Sequence, residues 1–414
     1  EMKKYFTIFV LIQIFSIYVV TKLFFPGPTD YGIDIFFKKH LNLIKDKNIG
    51  LLAIKSSSNK NGEHIVDLLL DANIHKSLKI FAPEHGFYSN YANGEKIDDE
   101  KYKNIDVISL YGSKRKPSEN DISNIDVILI DIQDIGSSYY TYLSTVTYMM
   151  EIASEHNISV IVLDRPNPLG MLVYGPIREK FGFIGLHPIP IRHGMTLGEL
   201  CLMINEMKWA KNQKKVKDLE IIKMKKIPKK SQFYKWIPPS PNIPNKETAF
   251  IYNGMCLFEG TNISEGRGTN NPFRMIGAPW IDLDKLMVYI EYLKKTKYGN
   301  KVIVNGLQFK PLSNKGAKTP KYENKICNGI FIEYIDESIE PLEFAIDLLV
   351  HFNDYEQFNF NDSFFDTLYG SSDLRLAISK NNDINNILHK IDNDVVKFKE
   401  QRKDFLIYKQ KHKQ

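Results

Sequence analysis

Cysteine is almost missing from this 414-residue chain: Cys201, Cys256 and Cys327 stand far apart. Three isolated thiols cannot make a disulfide framework, and without a C-x-x-C pair they do not form a zinc-holding pattern. They read as packing residues. The signatures of nucleotide chemistry are missing as well. The first apolar run leads into Lys55-Ser56-Ser57-Ser58 rather than G-x-G-x-x-G, and no G-x-x-x-x-G-K-[ST] occurs. Neither a G-x-S-x-G elbow nor an H-E-x-x-H helix is present. What remains is acid/base work by carboxylates, with or without a histidine. Arginine is scarce, at eight of the 55 basic residues. The formal charge of +6 is carried by scattered lysines, apart from the stretch 211–230 and the tail. A nucleic-acid reader needs cations gathered on one face, so nucleic acid is not an expected partner.

What is present is a globular composition, 43% hydrophobic and 12% aromatic, long enough for two or three domains. Lys3 and Lys4 precede an apolar run from Tyr5 to Val20. This is the pattern of an export signal, and residues 1–25 are expected to act as a signal peptide or to stay as a membrane anchor. Export puts the protein on the outer side of a bacterial cytoplasmic membrane, in the periplasm or outside the cell.

Beyond Pro26-Gly27-Pro28, short apolar runs at Gly50–Ile54, Leu78–Pro83, Val107–Tyr111, Val127–Ile130 and Val160–Leu163 read as buried parallel strands. Helical patterns, clearest at Tyr142–His156 and Thr196–Trp209, accompany them. The alternation predicts an open α/β sheet over residues 29–218. The Lys-rich stretch after Lys211 is read as a boundary. Residues 219–414 mix strands and helices less regularly, as in a smaller α+β domain.

Ligands of open α/β sheets sit outside the carboxyl ends of the strands. Three strands here end in polar clusters: Glu84-His85-Gly86, Asp131-Ile132-Gln133-Asp134 and Asp164-Arg165-Pro166-Asn167. A fourth turn, Arg192-His193-Gly194-Met195-Thr196, enters a helix with Glu199 placed for a capping box. The second domain opens on the proline-rich path Trp236–Pro244, which can be neither helix nor central strand. Glu259, Asn262, Glu265 and Arg267 follow within a glycine-rich stretch whose backbone can approach a ligand closely. Arg165, Arg192, Arg267 and Arg274 all lie in these segments, and their planar forks suit bidentate recognition of a carboxylate.

Taken together, Phe81-Ala82-Pro83-Glu84-His85-Gly86, Asp131-Ile132-Gln133-Asp134, Tyr140-Thr141-Tyr142, Leu163-Asp164-Arg165-Pro166-Asn167-Pro168, Arg192-His193-Gly194-Met195-Thr196, Pro239-Ser240-Pro241-Asn242, Glu259–Thr269 and Gly277-Ala278-Pro279-Trp280 make the chain resemble a known family. It is similar to the NamZ family of exo-β-N-acetylmuramidases, the DUF1343 or YbbC-like proteins of glycoside hydrolase family 171. The resemblance covers nearly all of Gly32 to Tyr408. It implies a Rossmann-like first domain without a nucleotide, an auxiliary second domain, an active site in the cleft between them, and no cofactor. The implied substrates are muramic acid glycosides from peptidoglycan, and the family's catalytic glutamate falls on Glu84. Two departures stand out: Lys55-Ser56-Ser57-Ser58 replaces a Thr-Asn-x-Thr-Gly type turn, and Ser138 replaces an arginine.

Glu84 is therefore the expected acid/base residue, with His85, Asp131 and Asp134 in support and Glu265 as second carboxylate. Arg192, His193 and Arg267 are the candidates for the lactyl carboxylate of muramic acid. Asp164, Arg165, Asn242 and Asn262 complete the expected substrate-binding set. A non-catalytic peptidoglycan-binding relative and a metal-dependent hydrolase are the alternative classes.

Overall fold

The computed structural model describes residues 29–91, 100–112, 114–227 and 234–408; the run expected to direct export lies outside them. Seven strands form the first sheet: β1 (Asn48–Ala53), β2 (Ser77–Ala82), β3 (Glu100–Tyr102), β4 (Ile105–Ser109), β5 (Val127–Asp131), β6 (Ser159–Leu163) and β7 (Leu219–Ile222). Their order is β3-β4-β2-β1-β5-β6-β7, with only β3 antiparallel to its neighbour. The six parallel strands thus run 3-2-1-4-5-6, the doubly wound Rossmann order, with its switch point between β1 and β5.

The apolar runs become parallel strands because both faces of the sheet are covered. Successive residues alternate between two cores. Leu51 and Leu129 pack with Phe36, Ile65 and Leu69 of α1 (Gly32–Lys39) and α2 (Ile65–Ala72). After the short α3 (Glu119–Ile122) come α4 (Tyr142–His156) and α5 (Leu197–Glu206). Leu52, Ile128 and Ile130 face that side, against Val146, Met149 and Leu200. Gly32 starts α1 against the end of β6, where a Cβ would stand 2.3 Å from Asp164 N, so no larger residue fits there. Thr196 caps α5 with Glu199 in the expected reciprocal box.

The second domain comprises α6 (Lys246–Met255), β8 (Met275–Ala278), α7 (Leu283–Leu293), β9 (Val302–Phe309), β10 (Cys327–Ile335), α8 (Pro341–Phe352), α9 (Asp362–Tyr369), α10 (Asp373–Ser379) and α11 (Asn385–Gln401). Its strands form a small antiparallel sheet in the order β8-β10-β9. All three cysteines are buried.

One boundary moves. Leu219–Ile222, expected to open the second domain, pairs in parallel with β6 and finishes the first sheet. The chain's last described residues also return to the first domain. Ile407 N donates to Glu199 at 3.0 Å, and the Tyr408 hydroxyl donates to Asp164 at 2.6 Å while accepting from Met224 N at 3.0 Å.

Candidate active site

Glu84 follows β2 at the carboxyl edge of the sheet. Its side chain is buried, and Oε2 accepts a 2.5 Å hydrogen bond from the Thr141 hydroxyl. Thr141 is the N-cap residue of α4, yet its side chain makes no cap bond; the hydroxyl is turned to Glu84 instead. The carboxylate therefore stands at the positive end of a 15-residue helix. His85 is held by a 2.9 Å bond between Nδ1 and Tyr91 O. A carbonyl can only accept, so Nδ1 carries the proton. Burial lowers the imidazole's pKa, which keeps the ring neutral and leaves Nε2 as an acceptor.

These residues form one wall of a cleft of about 270 Å³. Tyr139, Tyr140 and Thr141 continue that wall, and Ser240, Asn242 and Ile243 of the proline-rich path cross it. The second domain supplies Tyr252, Glu259, Arg267 and Phe273. Two of the cleft's side chains, His85 (φ 71°) and Phe273 (φ 63°), sit on left-handed backbone. Such a conformation costs a non-glycine residue on the order of 1–3 kcal/mol and is typical of functional sites.

Arg267 is clamped on its inner side. Nε donates to Glu259 Oε1 at 2.8 Å, Nη2 donates to the same oxygen, and Glu265 lies 3.6 Å away. The guanidinium also sits 5.0 Å from the Phe273 ring centroid. Nη1 is buried and has no hydrogen-bond partner. Lys321 binds Glu265 Oε2 at 3.0 Å and donates to the Phe258 and Ile263 carbonyls. The two glutamates consequently part company. Burial raises the pKa of Glu259, against the pull of Arg267 and with help from the negative charge of Glu265. Burial acts the same way on Glu265, but Lys321 and Arg267 outweigh it and hold that carboxyl below its usual range.

Of the residues expected at the site, Glu84, His85, Asn242 and Arg267 line this cleft. The others stand elsewhere. Glu265 lies behind Arg267, and the second carboxylate on the cleft wall is Glu259. Asp131 and Arg165 are a buried ion pair, with Nε–Oδ1 at 2.5 Å and a further bond from Arg165 to Ser58 O. Asp164 organises the start of α5, accepting from Thr196 Oγ1 and Gly198 N at 2.8 Å each. Asp134 accepts from Gly136 N at 2.7 Å, and His193 accepts from Met195 N at 3.2 Å, so both shape turns. Arg192 is bound to Glu340 at the start of α8 and to Leu169 O, which joins the two domains away from Glu84. Asn262 ties its loop to Gln357 and Asn359. The polar residues after the strands include Glu84 and His85, which reach the cleft, but most of the others support the backbone at that edge. Thr141, Tyr139, Tyr140 and Tyr252 had no assigned role; the hydroxyl-rich run Ser137–Tyr142 just before a helix was the available signal.

Among the described residues, no group of three or more His, Cys, Asp and Glu side chains is placed to hold a metal ion. A doubly wound sheet and an interdomain cleft with two carboxylates, a neutral histidine and an arginine with one unpaired nitrogen define an acid/base enzyme. Residues 49–247 match the family described as exo-beta-N-acetylmuramidase NamZ, N-terminal, and residues 250–408 match its C-terminal counterpart. The chain belongs to this family. It is 34% identical over 391 residues to the peptidoglycan beta-N-acetylmuramidase NamZ of Bacillus subtilis, covering 91% of each chain. Crystal structures of two DUF1343 family proteins from Bacteroides fragilis are also similar. One is 32% identical with a TM-score of 0.74 and the other 27% identical with a TM-score of 0.80; each match covers 92% of this chain and 99% of the other.

Proposed function

We propose that the protein is an exo-acting glycoside hydrolase that releases N-acetylmuramic acid from the non-reducing ends of peptidoglycan fragments. Family membership supports the reaction class. The observation that carries the substrate is Arg267, which lines the cleft, is clamped by Glu259 on one side and keeps a buried Nη1 without a partner. N-acetylmuramic acid differs from N-acetylglucosamine by a lactyl ether bearing a carboxylate, and this is the group Arg267 would take.

In this reading Glu84 is the acid/base residue at the glycosidic oxygen, held in place by the Thr141 hydroxyl. His85 accepts from a sugar hydroxyl through Nε2. The second role falls to Glu259 or to the substrate's own 2-acetamido carbonyl, and Glu265 keeps Arg267 and Lys321 in place. The run Tyr5–Val20 directs export, so that the enzyme meets wall fragments and feeds their recycling. The deciding experiment is incubation of the purified protein with a disaccharide of N-acetylmuramic acid and N-acetylglucosamine, with and without chelator. Free muramic acid in both arms is the expected result. No release would leave a binding protein, and release abolished by chelator would make it a metal-dependent hydrolase.

A further inference from the structure

A second cavity, of about 230 Å³, opens at the carboxyl ends of β1, β5 and β6 and shares no lining residue with the Glu84 cleft. In the 3-2-1-4-5-6 order this is the switch point between β1 and β5, the place where doubly wound sheets take ligands. The proposed reaction makes no use of it.

Its lining is one-sided in charge. Lys60, Arg165, Lys235 and Lys246 contribute four cations and no described residue on the wall is acidic, although Lys60 is paired with Asp30 at 2.8 Å and Arg165 with Asp131 behind the wall. Arg165 is buried and fixed by Asp131 through Nε and Nη2; no described residue bonds its Nη1 or the Lys235 ammonium. Ser56 adds a hydroxyl, 6% exposed and without a partner. The buried Ser56 hydroxyl costs free energy unless a ligand satisfies it, whereas Lys235 is exposed and carries no such cost. Rings complete the wall: Tyr31 and Tyr234, stacked with centroids 3.5 Å apart, and the indole of Trp236. The volume lies below the roughly 300–1,000 Å³ of drug-sized pockets. It suits a single sugar ring with one anionic group.

We propose that this cavity binds a monosaccharide-sized anion, a sugar ring carrying a phosphate or a carboxylate. The anion meets Arg165 Nη1, Lys235 and the Ser56 hydroxyl, and the ring lies against Trp236. The site does not depend on the muramidase reading and survives if that reading fails.

Trp236 is one of three tryptophans and reports on the cavity directly. The full chain is titrated with N-acetylglucosamine 6-phosphate, with N-acetylmuramic acid and with neutral N-acetylglucosamine while indole fluorescence is followed; Trp236→Phe identifies the signal. At least one anionic sugar saturates the signal, about tenfold or more tighter than the neutral sugar. Whichever anion binds more tightly identifies the natural group. Lys235→Ala and Lys246→Ala each weaken that binding on the order of tenfold and leave glycoside turnover unchanged. Three results overturn the proposal: no saturation by about 10 mM of either anion, equal affinity for the neutral sugar, or a signal that survives both lysine changes and vanishes in Arg267→Lys.

Discussion

Arg267→Lys separates charge from geometry at the point where the substrate is chosen. The guanidinium spends Nε and Nη2 on one oxygen of Glu259, with Nε at 2.8 Å, and leaves the buried Nη1 without a partner. A lysine can replace only one of these donors. It keeps its place beside Glu259 and Glu265, so the buried positive charge survives and the loss of stability stays at about 1–2 kcal/mol. The unpaired donor is lost altogether. A hydrogen bond to a charged group is worth about 1.5–3 kcal/mol, so kcat/KM for a muramic acid glycoside should fall roughly 10- to 150-fold. The corresponding N-acetylglucosamine glycoside lacks the carboxylate and should change little, since in the wild type it already leaves Nη1 unsatisfied. The assay is kcat/KM for chromogenic glycosides of the two sugars on both proteins, with thermal unfolding as the stability control. An equal fall for both sugars would show that Arg267 acts only through Glu259 and does not read the lactyl charge.

Glu84→Gln keeps the bulk and the Thr141 contact but removes the transferable proton; turnover should drop on the order of 10²-fold or more with the unfolding midpoint nearly unchanged, and undiminished turnover would move the acid role to Glu259. Burial pushes Glu199 up to about 7 from 4.5, against the opposing hydrogen bond from Thr196 N. Because the folded value is the higher one, the folded state holds the proton more tightly: this group's stabilisation is complete below about pH 4.5 and lost as pH rises through 7, by up to roughly 3 kcal/mol. Urea midpoints at pH 5 and pH 8 should differ accordingly in the wild type and converge in Glu199→Gln; equal slopes in the two proteins would discard the assignment. In α6, a Cβ on Gly254 would come within 2.1 Å of Pro341 O, whereas one on Gly182 would meet nothing within 4 Å. Gly254→Ala should cost about 1–3 kcal/mol or more and Gly182→Ala under about 0.5, and similar chemical-denaturation midpoints for the two would contradict the tight α6–α8 crossing.

The first sheet was legible because parallel strands buried on both faces are continuous apolar runs, so that β1, β2, β5 and β6 announce themselves within a residue or two. β7 was legible as a strand but not as a member of that sheet: nothing in Leu-Glu-Ile-Ile says which neighbour it pairs with, and the lysines around it imitate a linker. α6 gave no periodic signal because Phe250, Ile251, Tyr252 and Met255 bury it on every side. Strand-end position and arginine scarcity put Glu84 and Arg267 among the candidates, and the family resemblance singled out Glu84. Arg192, Asp164 and Asp131 share those features, and only the tertiary partners Glu340, Tyr408 and Arg165 show that they are already engaged. A sequence displays donors and acceptors; it does not display which of them are taken.

The return of Ile407 and Tyr408 to the first domain bears on how the protein comes into being. Asp164 lies at the end of β6, fully buried, and one of its hydrogen-bond donors is a hydroxyl some 244 positions later in the chain. A nascent polypeptide that has emerged only as far as α5 has every strand but β7 and already supplies Thr196 and Gly198 to Asp164 and Thr196 N to Glu199, but it still lacks the last donors to both, Tyr408 and Ile407. β7 follows soon after and covers the edge of β6, whereas these two buried carboxylates wait for their last donors until nearly half the protein has been synthesised. Closure over so long a separation leaves the first domain short of its full hydrogen bonding until the last turn is available, which favours late completion of the fold.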